Sequence, residues 1–208
     1  MRSRRTWWGS SGSFSIAVRE VSRRSLWSAG ENFGYAAPEI CYVPPMDPRT
    51  QDFYRRHARD LAARYRAAQG GVSDHFAEAF ADCRRILDVG CGAGRDLARL
   101  LALGHDAHGA DACREMVEAT LETCRLARVD AGDRVVESAL PALDRFADGE
   151  FDGVLCSAVL MHVPDEGLFD AVYGLRRVLR PGGRLLLSIP AEWQDRDPQA
   201  CRDSDGRY

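Results

Sequence analysis

The chain has 208 residues, enough for one domain of ordinary size, and its 45% hydrophobic and 28% charged content is that of a soluble globular protein. A formal net charge of −3 gives no general field for nucleic acid, and no apolar run approaches the roughly 20 residues needed to span a bilayer, so neither partner is expected. All 28 basic residues are arginine, which excludes a mechanism built on a lysine nucleophile or Schiff base.

Residues 1–45 read differently from the rest. Ser, Gly and Arg are frequent, three tryptophans are dispersed, and six arginines against three glutamates leave +3. This stretch is expected to be a disordered extension ahead of Met46; an Arg- and Ser-rich organellar transit peptide is the alternative. The seven cysteines (41, 83, 91, 113, 124, 156, 201) form no C-x-x-C pair and no cluster with histidine at zinc-ligand spacing. No metal is expected, and a reducing compartment, the cytoplasm, fits best.

Residues 46–190 are expected to form the domain. Phe53, Tyr54, His57, Leu61, Ala62 and Tyr65 recur at helical spacing over 51–68, with Arg55, Arg56, Arg59 and Arg66 on the other face. Gly70-Gly71 ends this helix, and Ser73-Asp74 can cap a shorter one through Asp82. Apolar strands are predicted at 85–89, 106–110, 133–137, 151–157 and 183–189, with helices near 94–104, 112–127 and 165–179. Such alternation predicts an α/β fold: a doubly wound, mostly parallel sheet with helices on both faces. Ligands then sit at the carboxyl ends of the strands, where the strand order reverses.

Ile86-Leu87-Asp88-Val89 is a buried-strand run that passes directly into Gly90-Cys91-Gly92-Ala93-Gly94 and then into a helix opened by Arg95. Glycines here permit positive φ and close approach of the backbone to a ligand. A dinucleotide loop, G-x-G-x-x-G, would need its third glycine one position later, where Arg95 stands. Asp88 beside the loop would repel a pyrophosphate but suits a ligand carrying an ammonium group.

The run D-V-G-C-G-A-G resembles the first motif of class I (Rossmann-like) S-adenosylmethionine (SAM)-dependent methyltransferases, and the similarity runs from about Gln51 through Pro190. The resemblance implies SAM as cofactor and Asp88, Gly90, Cys91, Gly92 and Gly94 as its cradle. Asp111, 21 residues after Gly90, ends a short strand and is the acid for the ribose hydroxyls, with capping of the next helix as the plain alternative. Ala112 and Met116 are expected against the adenine, though Met116 reads equally as helix core. Glu137 is the candidate for the adenine amino group, with Ser138 if the alignment slips by one. Cys156 and Ser157 are expected near the methionine part by position, and Tyr54 as a contact from a covering helix.

His162 follows the fourth strand and is the candidate general base, weighed against a histidine that only packs in its loop. The absence of an Asn/Asp-Pro-Pro-aromatic run and of a Pro-Cys dipeptide favours a small-molecule acceptor over nucleic acid. The resemblance also implies two further strands. Only the polar stretch 191–208 follows the fifth, so the core is expected to be truncated and to lack them, or else to leave a five-stranded sheet with an open edge. The reading is thus a SAM-dependent methyltransferase, with a SAM-binding fragment without turnover as the alternative and a nicotinamide oxidoreductase disfavoured. Oligomeric state cannot be read from the chain.

Overall fold

The computed structural model describes residues 9–11, 14–20, 48–68 and 70–190. Helix α1 (Pro48–Ala67) opens on a proline, whose missing N–H costs nothing at a first helical position. A 3₁₀ turn (Val72–His75) and the one-turn helix α2 (Phe76–Ala79) follow, in place of the single helix expected through Asp82.

Five parallel strands come next: β3 (Arg85–Val89), β4 (Asp106–Asp111), β5 (Val135–Glu137), β6 (Phe151–Ser157) and β7 (Leu179–Pro190). Between them lie α3 (Arg95–Ala102), α4 (Arg114–Leu126) and α5 (Leu168–Val178). Ahead of all these stand β1 (Gly9–Ser11) and β2 (Phe14–Glu20), and the sheet order is β1-β2-β7-β6-β3-β4-β5.

β3 is central, pairing with β4 on one side (Val89 opposite Ala110) and β6 on the other (Val89 opposite Cys156). A strand with neighbours on both sides and helices on both faces favours apolar residues, and Ile86, Leu87 and Val89 are all buried, with Asp88 the buried exception. The pleat then divides them. Ile86 joins Leu97, Leu100 and Cys124 on the face covered by α3 and α4, while Leu87 and Val89 join Val154, Cys156 and Leu175 on the face covered by α5. The chain runs outward from β3 through β4 to β5, and in the opposite direction from β6 to β7. The reversal leaves a crevice at the carboxyl ends of β3 and β6.

One expectation is corrected at the far edge. β2 lies antiparallel on β7, from Phe14 opposite Pro190 to Glu20 opposite Arg184, and β1 pairs antiparallel with β2. The edge of the fifth parallel strand is therefore covered, and by residues from the stretch expected to be disordered. The unpaired backbone groups of an edge strand favour this addition. The transit-peptide reading of the remaining early residues, and the polar stretch 191–208, lie outside the described residues.

Candidate active site

A cavity of about 390 Å³ opens at the crevice. It is walled by the glycine loop, the loops after β4, β5 and β6, and α1 above. Gly90 and Cys91 both donate their N–H to the Ala110 carbonyl (2.8 and 3.0 Å), folding the loop back across the end of β4.

The three loop glycines do different work, although all have positive φ (69°, 55° and 77°). A Cβ on Gly90 would lie 2.3 Å from Val159, and one on Gly94 would lie 2.8 Å from the Thr120 Cα, so these two allow close packing of the loop against its neighbours. On Gly92 a Cβ would meet nothing nearer than 3.8 Å. Gly92 is thus the least crowded of the three, with only ordinary contacts to the Met116 methyl and the Gly90 carbonyl. Gly90 and Gly92 line the cavity; Gly94 does not, and instead precedes α3, so its expected ligand contact is corrected to a packing role.

Asp88 lines the cavity and is 3% exposed, and its Oδ2 is buried with no hydrogen-bond partner. Burial, then the charges of Asp96 and Asp111, push its carboxyl well above the usual range, against the pull of Arg95. An unmet buried carboxyl is costly unless something arrives to satisfy it. Asp111 accepts the Gly92 N–H on Oδ2 and the Cys113 N–H on Oδ1, both at 2.9 Å. Burial raises it to about 6, although it is partly open to the cavity; the N–H groups of Cys113, Gly92 and Ala112 oppose the rise. Each carboxylate oxygen has a second lone pair, so Asp111 can still accept two hydroxyls. Arg95 forks onto Asp96 through Nε and a terminal nitrogen (3.0 and 3.1 Å), and both residues line the wall. Neither was singled out as a site residue from the sequence.

Cys91 lines the cavity, but its thiol lies 3.5 Å from Thr120 Oγ1 and beside Gly109. Burial pushes it far up, leaving an inert group. Ala112 and Met116 line the cavity too, and Met116 also packs with Ala58, Ala62, Ala93 and Cys113 beneath α1.

Two expected contacts are corrected. Glu137 is exposed at the end of β5; the next residue, Ser138, lines the cavity and donates to Asp144 (3.0 Å). Cys156 is fully buried in the core under α5, because it shares the pleat of Val154. Ser157, on the opposite face, reaches the cavity and bonds Ser188 at 2.8 Å. Ala158 follows with φ 56°, an uncommon conformation for a residue with a Cβ and one concentrated at functional sites.

α1 reaches both walls. Gln51 Nε2 donates to the Ala112 carbonyl (3.1 Å) on the β4 side, and Tyr54 Oη lies 3.1 Å from His162 Nε2 on the β6 side. The Tyr54 and His162 rings meet edge to face with centroids 5.5 Å apart. Small residues Ala58 and Ala62 let the helix lie close on the loop. Tyr65 joins Tyr54 in the lining. Among the described residues no group of three His, Cys, Asp or Glu could hold a metal ion.

The strand order and the crevice at its reversal are those of the Rossmann-like fold found in class I methyltransferases. Within that class, residues 86–183 match the family described as "Methyltransferase domain". A ubiquinone biosynthesis O-methyltransferase of Alkalilimnicola ehrlichii is 37% identical over 109 residues, covering 50% of this chain and 41% of that protein. Its counterpart from Methylococcus capsulatus is 34% identical over 105 residues, covering 50% and 43%. The chain thus spans about two fifths of the length of these relatives. Among solved structures, the fold is similar to magnesium protoporphyrin IX methyltransferase (ChlM) from Synechocystis with bound SAM. That similarity has a TM-score of 0.53 at 20% identity, covering 64% of this chain and 73% of that one. It is equally similar to the [4+2]-cyclase SpnF, with a TM-score of 0.53 at 22% identity, covering 69% and 61%. A shared fold therefore leaves the reaction to be argued from the site.

Proposed function

We propose that this chain binds SAM in the glycine-loop crevice and transfers its methyl group to a hydroxyl of a small organic acceptor. The observation that carries the reading is the buried Asp88 Oδ2 without a hydrogen-bond partner, next to a loop whose Gly92 lines the cavity and an Asp111 with free acceptor capacity. An ammonium-bearing nucleoside without phosphates suits this set. Asp88 would meet the charged end, Gly92 would let the backbone approach, Asp111 would take the ribose hydroxyls, and Ala112 and Met116 would flank the base.

SAM supplies an activated methyl group on a sulfonium. The protein's share is orientation, which can account for about 7–11 kcal/mol of a barrier when reacting atoms are held in line. The cavity wall formed by the loops after β5 and β6 is largely apolar (Leu140, Val159, Met161, Val163), with His162 among it as a base for a hydroxyl proton. That lining suits a small, apolar, hydroxylated acceptor, and the O-methyltransferase names of the relatives agree in class. A nucleic-acid substrate finds no support in the −3 net charge. The described cysteines are all free and buried, which suits a reducing compartment, and among the described residues no helix is long and apolar enough to cross a membrane.

Calorimetric titration with S-adenosylhomocysteine (SAH) and with NAD tests the cofactor. SAH is expected to bind and NAD not to; the reverse would overturn the reading. A methyl-transfer assay over small phenols and alcohols tests turnover. SAH binding with no transfer to any acceptor would leave a SAM-binding domain instead.

A further inference from the structure

In the proposed reaction His162 is the base, yet the residue is only 8% exposed and its Nε2 lies 3.1 Å from the Tyr54 hydroxyl. Tyr54 is the more exposed of the two, lines the cavity, and comes from α1, a different element from the 3₁₀ turn (Leu160–His162) that carries the histidine. We infer that the acceptor's proton reaches His162 through Tyr54. The phenol hydroxyl contacts the acceptor, and the imidazole behind it acts as the proton store. The inference rests on the methyl-transfer reading and adds to it a second residue and a direction of proton flow.

The protons balance within this pair. The acceptor O–H proton passes to Tyr54 Oη as the Tyr54 proton passes to His162 Nε2, giving a neutral phenol and an imidazolium. The positive charge that SAM loses on giving up its methyl group thereby reappears on His162. Neither residue needs to be ionised beforehand, which suits a tyrosine whose ordinary titration lies near 10. Because Tyr54 belongs to α1, the relay exists only while that helix lies across the crevice with Gln51 held on the opposite wall. The acceptor class follows: a hydroxyl whose proton must be removed, on a body apolar enough for Leu140, Val159 and Met161.

The test has a structural arm and a kinetic arm, both on the full chain. Nitrogen-15 NMR of His162, assigned by its loss in His162→Gln, is expected to show one tautomer, with the proton on Nδ1 and Nε2 accepting from Tyr54. In Tyr54→Phe, which keeps the ring, the two tautomers should mix. In the methyl-transfer assay, Tyr54→Phe and His162→Gln should each lower kcat about 10²-fold with KM changed less than about threefold, as expected for loss of one acid–base unit. The double variant should be no slower than either single one. SAH affinity should hold within about twofold in both, which also reports an intact fold.

An unchanged His162 tautomer in Tyr54→Phe, or effects on kcat that multiply in the double variant, would overturn the relay. So would a loss confined to SAH affinity, which would make Tyr54 a cofactor contact. Failure of the parent reading looks different: no SAH binding and no turnover in the unaltered chain, whatever the NMR shows of the pair.

Discussion

The two ends of the central strands treat carboxyl groups in opposite ways. At the amino ends, Asp152 of β6 accepts the backbone N–H groups of Arg84 and Arg85 at 2.9 and 3.0 Å. Glu150 and Asp106 face the Arg85 guanidinium at 3.0 and 3.8 Å, and Arg134 adds a contact to Asp106 at 3.7 Å. At the carboxyl ends, Asp88 is buried with an oxygen that nothing meets, and Asp96 and Asp111 crowd it with like charge. Residue type does not separate these groups; completeness does. The chain itself meets the carboxyl oxygens at one end of the sheet, although Arg85 Nε is left without a hydrogen bond there, whereas at the other end Asp88 Oδ2 has no partner. A fold that meets its acids where strands begin and leaves Asp88 without a partner where strands finish has put stability and binding at opposite ends of the same strands.

The largest effect should come from Asp111→Asn, which removes a charged acceptor at the ligand end. SAH affinity is expected to fall about 100-fold, read by calorimetry, in line with the loss of charge-assisted hydrogen bonds. A change below about threefold would remove Asp111 from the binding set. At the opposite end Asp152→Ala should strip two N–H groups of their acceptor and lower the unfolding free energy by about 1–3 kcal/mol in urea, with SAH affinity unchanged. If affinity fell as much as stability, the two ends would not be separable.

Asp88→Asn sharpens the contrast further. Relieving a buried, unmet carboxylate should raise the ligand-free protein's stability by about 1–2 kcal/mol at neutral pH, while weakening SAH about tenfold. A variant that is destabilised would mean that Asp88 is already satisfied in the free protein.

The smallest effect is a pH slope. Asp111 titrates at about 6 in the folded chain, whereas an unfolded aspartate titrates near 4. Between those values the folded protein holds a proton that the unfolded chain has lost. Stability is therefore complete at the acid side of the window and falls as pH rises through it. The ligand-free Tm should drop by at least about 2–4 °C from pH 4 to 6, and Asp111→Asn should reduce the slope, leaving the share of Asp88, which is also held above the usual range. An equal slope in the variant would assign it to other groups.

Much of this was legible in the sequence because the signals are local. The strand Ile86–Val89, the glycine run and the acid at 111 each follow from a short stretch of chain, and β3, β4 and β6 fall within a residue of where periodicity places them. Cys156 was misplaced for want of a stricter period: counting by twos from Val154 puts it in the core and Ser157 outward. Glu137 failed by one residue where β5 ends and alternation stops.

Arg95 and Asp96 were hidden because a helix opening on a charged pair looks like an ordinary solvated turn. The Tyr54–His162 bond joins residues far apart in the chain, and no single-sequence pattern carries such a pairing. The β2 strand did leave a trace, since Phe14, Ile16 and Val18 alternate with Ser15 and Ala17. The Ser, Gly and Arg around it masked that rhythm.

The antiparallel seating of β2 on β7 carries a consequence for how the molecule is made. Residues 14–20 leave the ribosome long before 184–190, so the outermost pairing of the sheet joins two of the most widely separated segments described. Loop-closure entropy sets such contacts late, and the nascent chain must carry β2 without its partner while the parallel core assembles. The β2–β7 pairing is therefore expected to be among the last to form, with β2 exposed to pairing with other chains until then.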